Sequence, residues 1–250
     1  MEKFKNKVAL ITGGISGMGL ATAREFINEG ATVIITGRSQ EKINETVKQL
    51  GSKAFGFVSD AGEIADIFDM PEQVKKHAGK IDILFVNAGF GKFAPIELVK
   101  EANFDELFNV LVKGAFFTVQ QLLPLINEGG SIILNTSIVT ETGSQNMSIY
   151  SAAKSAVQSF IKTFAAECTN KQIRVNGISP GYITTNIFNN TGMSPEQVES
   201  VIEATIPTLP LKRFGKASEI AKTITFLASD DASYIHATEI TVDGGLSKIK

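Results

Sequence analysis

Tyr150 and Lys154 stand four residues apart in Ser148-Ile149-Tyr150-Ser151-Ala152-Ala153-Lys154. On a helix that spacing puts both side chains on one face, one turn apart. A free phenol titrates near ~10 and is a poor acid or base at neutral pH, and a neighbouring ammonium favours the phenolate and draws that value down. Such a pair could take a proton from an alcohol or give one to a carbonyl oxygen. Ser137, thirteen residues upstream at the end of the apolar run Ser131-Ile132-Ile133-Leu134-Asn135, offers a hydroxyl to the same oxygen. Alone the pair is weak evidence, because a solvated Lys beside a half-buried Tyr has the same spacing.

A second group of residues suits phosphate. Gly13-x-x-x-Gly17-x-Gly19, with Ile15, Ser16 and Met18 between the glycines, follows the apolar run Val8-Ala9-Leu10-Ile11 and opens a helical stretch. Backbone N–H groups at a helix N-terminus face a dinucleotide pyrophosphate, and missing side chains let it approach. The spacing departs from G-x-G-x-x-G, so the strand–loop–helix setting carries the reading. The next apolar run, Thr32–Thr36, ends in Gly37-Arg38-Ser39 with no acid at the turn. An acid there would hold the adenosine ribose hydroxyls of NAD and repel the 2′-phosphate of NADP. Gly37 leaves room for that phosphate, Arg38 offers a planar guanidinium to pair with it, and Ser39 adds a hydroxyl. The expected cofactor is NADP(H), with NAD(H) possible; a solvated surface Arg is the competing account of Arg38.

The elements that must position these groups alternate. Short unalternating apolar runs read as buried parallel strands at Val8–Ile11, Thr32–Thr36, Lys53–Val58, Ile81–Val86, Ser131–Asn135, Ile173–Ile178 and Glu239–Val242. Helical patterns fill the intervals: to about Glu29, Gln40–Leu50, Glu63–Ala78, Asn103–Ile126, Ser148–Thr169 and, capped by Ser218, to Ala228. Asn186–Pro210 reads as irregular, with a short helix after Ser194-Pro195 and the length of a lid. The pattern predicts an α/β fold, a doubly wound parallel sheet with helices on both faces, in one domain spanning 1–250.

Composition narrows the classes. The chain has 250 residues with a formal net charge of −2, 43% hydrophobic and 20% charged, an ordinary globular balance that gives no sign of a nucleic-acid or anionic-membrane surface. One cysteine, Cys168, excludes an intrachain disulfide, and His77 and His236 suggest no metal cluster. Met1–Lys7 shows no signal-peptide apolar region, and no apolar run reaches membrane-spanning length. A cytoplasmic protein is expected.

With these elements placed, the chain resembles the short-chain dehydrogenase/reductase family over essentially its whole length. Thr12-Gly13-x3-Gly17-x-Gly19 is similar to the family's cofactor loop, and Asn87-Ala88-Gly89 to its Asn-Ala-Gly after the fourth strand. Ser137, Tyr150 and Lys154 resemble the catalytic Ser and Tyr-x3-Lys in order and spacing. Pro180-Gly181-x-Ile183-x-Thr185 resembles the segment that packs on the nicotinamide carboxamide; Pro210-Leu211-x-Arg213-Phe214-Gly215 and Val242-Asp243-Gly244-Gly245 resemble late motifs. The resemblance implies strand order 3-2-1-4-5-6-7, cofactor contacts extending to Asp60 and Ala61, and homo-oligomers, commonly dimers or tetramers. It implies Tyr150 as acid/base, Ser137 orienting the substrate oxygen, and Lys154 lowering the Tyr150 pKa and binding the nicotinamide ribose. Many members carry Asn in the helix after the fourth strand, where it helps hold a water that relays protons to the Lys. Here Leu111 occupies that position, and Asn109 is two residues away.

The expected substrate pocket takes Phe90, Phe93, Val139, Gln145, Met147, Ile187 and Phe188, mostly apolar, and no Arg or Lys cluster forms an anion clamp. The substrate expected is a small neutral, partly hydrophobic ketone or secondary alcohol. An NADH-preferring ketoreductase and a 3-oxoacyl reductase remain alternatives within the family. A dinucleotide-binding sensor or scaffold without turnover is the alternative from another class, supported by Leu111 alone.

Overall fold

The structure is a computed structural model and describes residues 2–185 and 194–249. Its strands are β1 (Val8–Ile11), β2 (Thr32–Gly37), β3 (Ala54–Val58), β4 (Ile81–Val86), β5 (Ile126–Asn135), β6 (Arg174–Pro180), β7 (Ile183–Thr184), β8 (Gly215–Lys216) and β9 (Glu239–Val242). Seven of them form one parallel sheet in the order β3-β2-β1-β4-β5-β6-β9, the expected doubly wound order; β7 and β8 pair separately. The helices are α1 (Gly17–Asn28), α2 (Gln40–Leu50), α3 (Ile64–His77), α4 (Glu101–Phe108), α5 (Gly114–Leu122), α6 (Ser148–Cys168), α7 (Pro195–Thr205) and α8 (Ala217–Ala228).

Alternate residues of each strand feed two apolar layers, because successive side chains point to opposite faces. Leu10, Ile34, Leu84, Ile132, Leu134 and Val175 pack under α3, α5 and α6. Ile11, Ile35, Phe85, Ile133 and Ile178 pack under α1 and α8. Both layers leave the strand runs almost wholly apolar, which is why they do not alternate in sequence. Cys168 is a free, buried member of the first layer. The order of the sheet reverses between β1 and β4, and the loops leaving those two strands, at Thr12 and Asn87, open the crevice where such folds bind ligands.

Several elements differ from the sequence pattern. The expected helix Asn103–Ile126 is divided: α4 runs into a π turn at Asn109–Lys113, then α5, then a 3-10 turn at Leu123–Leu125. The Gly114 N–H reaches back five residues to the Asn109 carbonyl, as in a π-bulge, and Gly114 lies so close to the Ala61 carbonyl that a Cβ has no room. Ile126 already belongs to β5, which is longer than Ser131–Asn135. Ile81 pairs with Ile126 but Ile83 with Ser131, so the intervening residues bulge around Gly129 at φ 76°. Ser218 does not cap α8. Lys216 stands at the N-cap, and its N–H donates to the Glu219 carboxylate at 2.7 Å, the rearward half of a capping box.

Candidate active site

The loop after β1 is lashed to the end of β4. Thr12 Oγ1 accepts from the Asn87 N–H at 2.9 Å and the Ala88 N–H at 3.0 Å. Asn87 Nδ2 donates to the Thr12 carbonyl at 3.0 Å and the Gly13 carbonyl at 3.3 Å. Gly13 turns the chain at φ 65°, and a Cβ on Gly19 would meet both the Gly13 carbonyl and, at 2.7 Å, Asn87 Nδ2. Ser16 is the N-cap of α1, is exposed, and makes no side-chain cap bond. The first N–H groups of α1 are therefore left for an anion, and the residues fit a dinucleotide. Gly17 faces Thr185, 3.5 Å from where its Cβ would be, which brings the segment after β6 over the loop. Met18 packs into the layer under α1 and α8.

At the end of β2 the space beside Gly37 is narrower than its missing side chain implies, because Ile15 lies across it; a Cβ would be 3.0 Å from Ile15 Cδ1. Arg38 is exposed, and no hydrogen bond or ion pair engages it among the described residues. Ser39 caps α2, accepting from the Lys42 N–H at 3.3 Å, which leaves its proton and one lone pair for a ligand. Asp60 is half-buried, its carboxylate turned back to the Gly62 N–H at 2.9 Å; Ala61 beside it packs against Gly114.

Tyr150 and Lys154 share a face near the start of α6, as their spacing requires, with Lys154 Nζ 5.9 Å from the Tyr150 ring centroid. Ser137 lies near enough to the tyrosine hydroxyl to influence its titration; it follows β5 and starts a short 3-10 turn whose Val139 N–H it accepts at 3.4 Å. The ammonium is buried and donates to the Asn135 carbonyl at 2.7 Å. Its effect on the phenol differs from the expectation. Burial pushes Tyr150 up to about 12, and the neighbouring Ser137 side chain pulls the other way. Burial pushes Lys154 down to about 8. Desolvation penalises whichever form is charged, so it moves acid and base in opposite directions. The pair is a protonated phenol beside a lysine that titrates within reach of neutrality.

Phe93 stands edge-on to the Tyr150 ring, centroids 5.6 Å apart at 87°. Phe90, Ile149 and Tyr150 pack around Leu107, Leu111 and Ala153. Val139 is buried, Met147 is half-buried at the N-cap of α6, and Gln145 is exposed in the loop before it. Ile187 and Phe188 lie outside the described residues. Across the site, the Gly181 N–H donates to the Val242 carbonyl at 3.1 Å, and Pro180 ends β6; Ile183 is buried and pairs with Gly215.

A family model described as enoyl-(acyl carrier protein) reductase matches residues 13–247. The 3-oxoacyl-(acyl-carrier-protein) reductase of Thermotoga maritima is 37% identical over 98% of this chain and 99% of its own. Levodione reductase superposes with TM-score 0.92 at 34% identity, over 99% of this chain and all of its own. L-sorbose reductase from Gluconobacter frateurii, complexed with NADPH and L-sorbose, gives TM-score 0.90 at 30% identity over the whole of both chains. The chain belongs to the short-chain dehydrogenase/reductase family. It is an oxidoreductase, and its family binds a nicotinamide dinucleotide. Among the described residues no helix is long and apolar enough to cross a membrane.

In this dehydrogenase/reductase, Leu111 sits within the π turn, buried to 2%, where its Cδ2 would be 2.6 Å from a Cβ on Gly89. Its side chain thus fills the space beside the Asn-Ala-Gly turn. Asn135 belongs to the site without any sequence motif marking it. Its carbonyl takes the Lys154 ammonium, its Nδ2 donates to Asn87 Oδ1 at 3.1 Å, and its own Oδ1 is buried with no partner among the described residues. One residue thereby joins Lys154 to the glycine loop. The available signal was a lone amide ending an otherwise apolar strand.

Proposed function

We propose that this enzyme is an NADP(H)-dependent carbonyl reductase, reversible as a secondary-alcohol dehydrogenase, acting on a small neutral, partly hydrophobic ketone or alcohol, with 1–250 as one domain. The observation that carries it is Tyr150 one helical turn from buried Lys154, whose Nζ lies 5.9 Å from the phenol ring and donates to Asn135 beside Ser137, with burial keeping the phenol protonated. A phenol that keeps its proton is arranged to donate to a carbonyl oxygen as negative charge develops there. Ser137 hydrogen-bonds the same oxygen and fixes its direction. Lys154 supplies positive charge beside the ring, and its N–H groups not used by Asn135 would hold the nicotinamide ribose. When bound, the cofactor supplies or accepts the hydride. In the alcohol-oxidising direction Tyr150 would first have to lose its proton.

The cofactor would lie with its pyrophosphate at Gly13, Ile15, Ser16, Gly17, Met18 and Gly19. Its adenine end would reach Arg38, Ser39, Asp60 and Ala61. Its nicotinamide end would meet Asn87, Ala88, Gly89, Pro180, Gly181, Ile183 and Thr185. Arg38, exposed and unpaired among the described residues, supports NADP(H), as does the NADPH held by the Gluconobacter relative. Phe90, Phe93, Val139 and Met147 give the substrate side its apolar character. Ser155 and Ser159, exposed on α6, would let a second copy approach closely, and we place the protein as a cytoplasmic homo-oligomer. A non-catalytic dinucleotide-binding protein is the second reading, favoured by buried Leu111.

The test is oxidation of NADPH and of NADH with a panel of neutral ketones, alongside cofactor binding by fluorescence. Ketone-dependent NADPH oxidation is expected. Tight cofactor binding without turnover of any ketone would establish the second reading instead.

A further inference from the structure

Thr136 stands between Asn135, whose carbonyl takes Lys154, and Ser137. Its N–H and its hydroxyl both approach the Ile178 carbonyl, at 2.9 and 2.8 Å, and the hydroxyl also meets Glu239 Oε1 on β9. The other carboxylate oxygen, Oε2, accepts from Gln158 Nε2 at 2.6 Å. Gln158 lies one turn beyond Lys154 and two turns beyond Tyr150 on α6, a spacing that keeps all three on nearby faces of the helix. A half-buried position on a strand is ordinarily filled by a β-branched or aromatic residue. A carboxylate there must have its oxygens satisfied: Oε2 takes the Gln158 amide, and Oε1 shares the one Thr136 hydroxyl proton with the Ile178 carbonyl, so each of the two elements that carry the site supplies one contact.

We propose that Glu239 is a positioning residue: its carboxylate joins the peptide bearing Ser137 to the face of α6 bearing Tyr150 and Lys154, and sets the distance between hydroxyl, phenol and ammonium. Glu239 touches none of these three groups. The clamp acts through Thr136 and Gln158, at the two flanks of the catalytic set. It rests on the proposed roles of Ser137, Tyr150 and Lys154, so one readout below needs no substrate.

The experiment compares Glu239→Leu, Glu239→Gln and Gln158→Leu with wild type. Glutamine at 239 can accept from Gln158 and donate to the Thr136 hydroxyl, so both links survive. With whichever panel ketone is reduced, Glu239→Leu and Gln158→Leu should lower kcat by about 10- to 100-fold, the scale of a misplacement near one ångström. The KM values for ketone and NADPH should stay within about two-fold, because neither ligand is touched. Glu239→Gln should recover at least half of the lost rate. Independently, acetylation of Lys154 by acetic anhydride, read by mass spectrometry against exposed Lys162, should speed up in both Leu variants and not in Glu239→Gln. Gln158→Leu leaves β9 intact and carries the same expectation if Glu239→Leu does not fold. A folded Leu variant with wild-type kcat and wild-type Lys154 labelling overturns the proposal. So does a Glu239→Gln variant as impaired as Glu239→Leu. If no ketone is reduced the proposed function fails, and the labelling contrast alone decides whether the clamp exists.

Discussion

Lys154→Met replaces a buried ammonium with an uncharged side chain of similar length, and its consequence for stability can be worked from the structure. The folded protein holds the lysine proton only up to about 8, against an ordinary value of 10.5, and the cause is burial. At ~1.4 kcal/mol per pH unit this amounts to about 3 kcal/mol against the charged form. The unfolded chain binds the proton throughout the interval from about 8 to 10.5 while the folded chain releases it, so stability rises with pH across that window. Between pH 7 and pH 9 the wild type should gain about 1 kcal/mol relative to the Met variant, or roughly 3 °C in Tm for a chain of this size. At pH 7 the variant escapes the burial cost but leaves the Asn135 carbonyl without its donor, worth about 1–3 kcal/mol, so the two proteins should differ little there. The slope with pH is the discriminating quantity. The chain has no tryptophan, so urea unfolding is best followed by far-ultraviolet circular dichroism at pH 7, 8 and 9 on ligand-free protein. Tyr150 titrates near 12 and does not intrude. Curves for wild type and Lys154→Met that stay parallel across this range would refute the buried, destabilised ammonium. Ketone reduction should be lost in the variant at every pH.

Tyr150→Phe keeps the ring packed against Phe93 and removes the transferable proton. Activity should fall by about 10²–10⁴-fold or more with cofactor binding little changed, and retention of more than a tenth of the rate would remove Tyr150 from the mechanism. Arg38→Ala should raise the KM for NADPH and leave that for NADH nearly unchanged; equal weakening of both, or a wild-type preference for NADH, would show that Arg38 does not read a 2′-phosphate. Phe93→Ala deletes an aromatic contact worth roughly 1 kcal/mol and opens the space in front of Tyr150. The kcat/KM ratio of bulky to small ketones should rise, and an unchanged ratio would place Phe93 outside the pocket. A high-resolution crystal structure should show an ordered water within hydrogen-bond reach of the Lys154 amine despite apolar Leu111. A dry surround together with no turnover of any carbonyl would support the non-catalytic reading.

What the sequence determined alone rests on local physics. Runs such as Val8–Ile11 and Ile81–Val86 are short, largely apolar and bounded by turn residues, so strands buried on both faces were legible there to the residue. The pairing of Tyr150 with Lys154 was legible because helical spacing alone puts residues four apart on one face. The strand order came from the family resemblance, and the sheet follows it. Other features depended on residues distant in the chain. The π turn at Asn109–Lys113 carries no propensity signal; it accompanies the close approach of Gly114 to the Ala61 carbonyl, more than fifty residues away in the chain. The room left by Gly37 is taken by Ile15 from the neighbouring loop. The link from Lys154 through Asn135 to Asn87, and the clamp of Glu239 on Thr136 and Gln158, join segments that meet only once the sheet has formed. The largest difference is electrostatic. Spacing suggested that Lys154 would draw the Tyr150 proton off, yet burial holds that proton on and weakens the hold of Lys154 on its own. Spacing measures the separation of two charges, whereas their pKa values depend on how much water the rest of the fold leaves around them, and only the tertiary structure decides that.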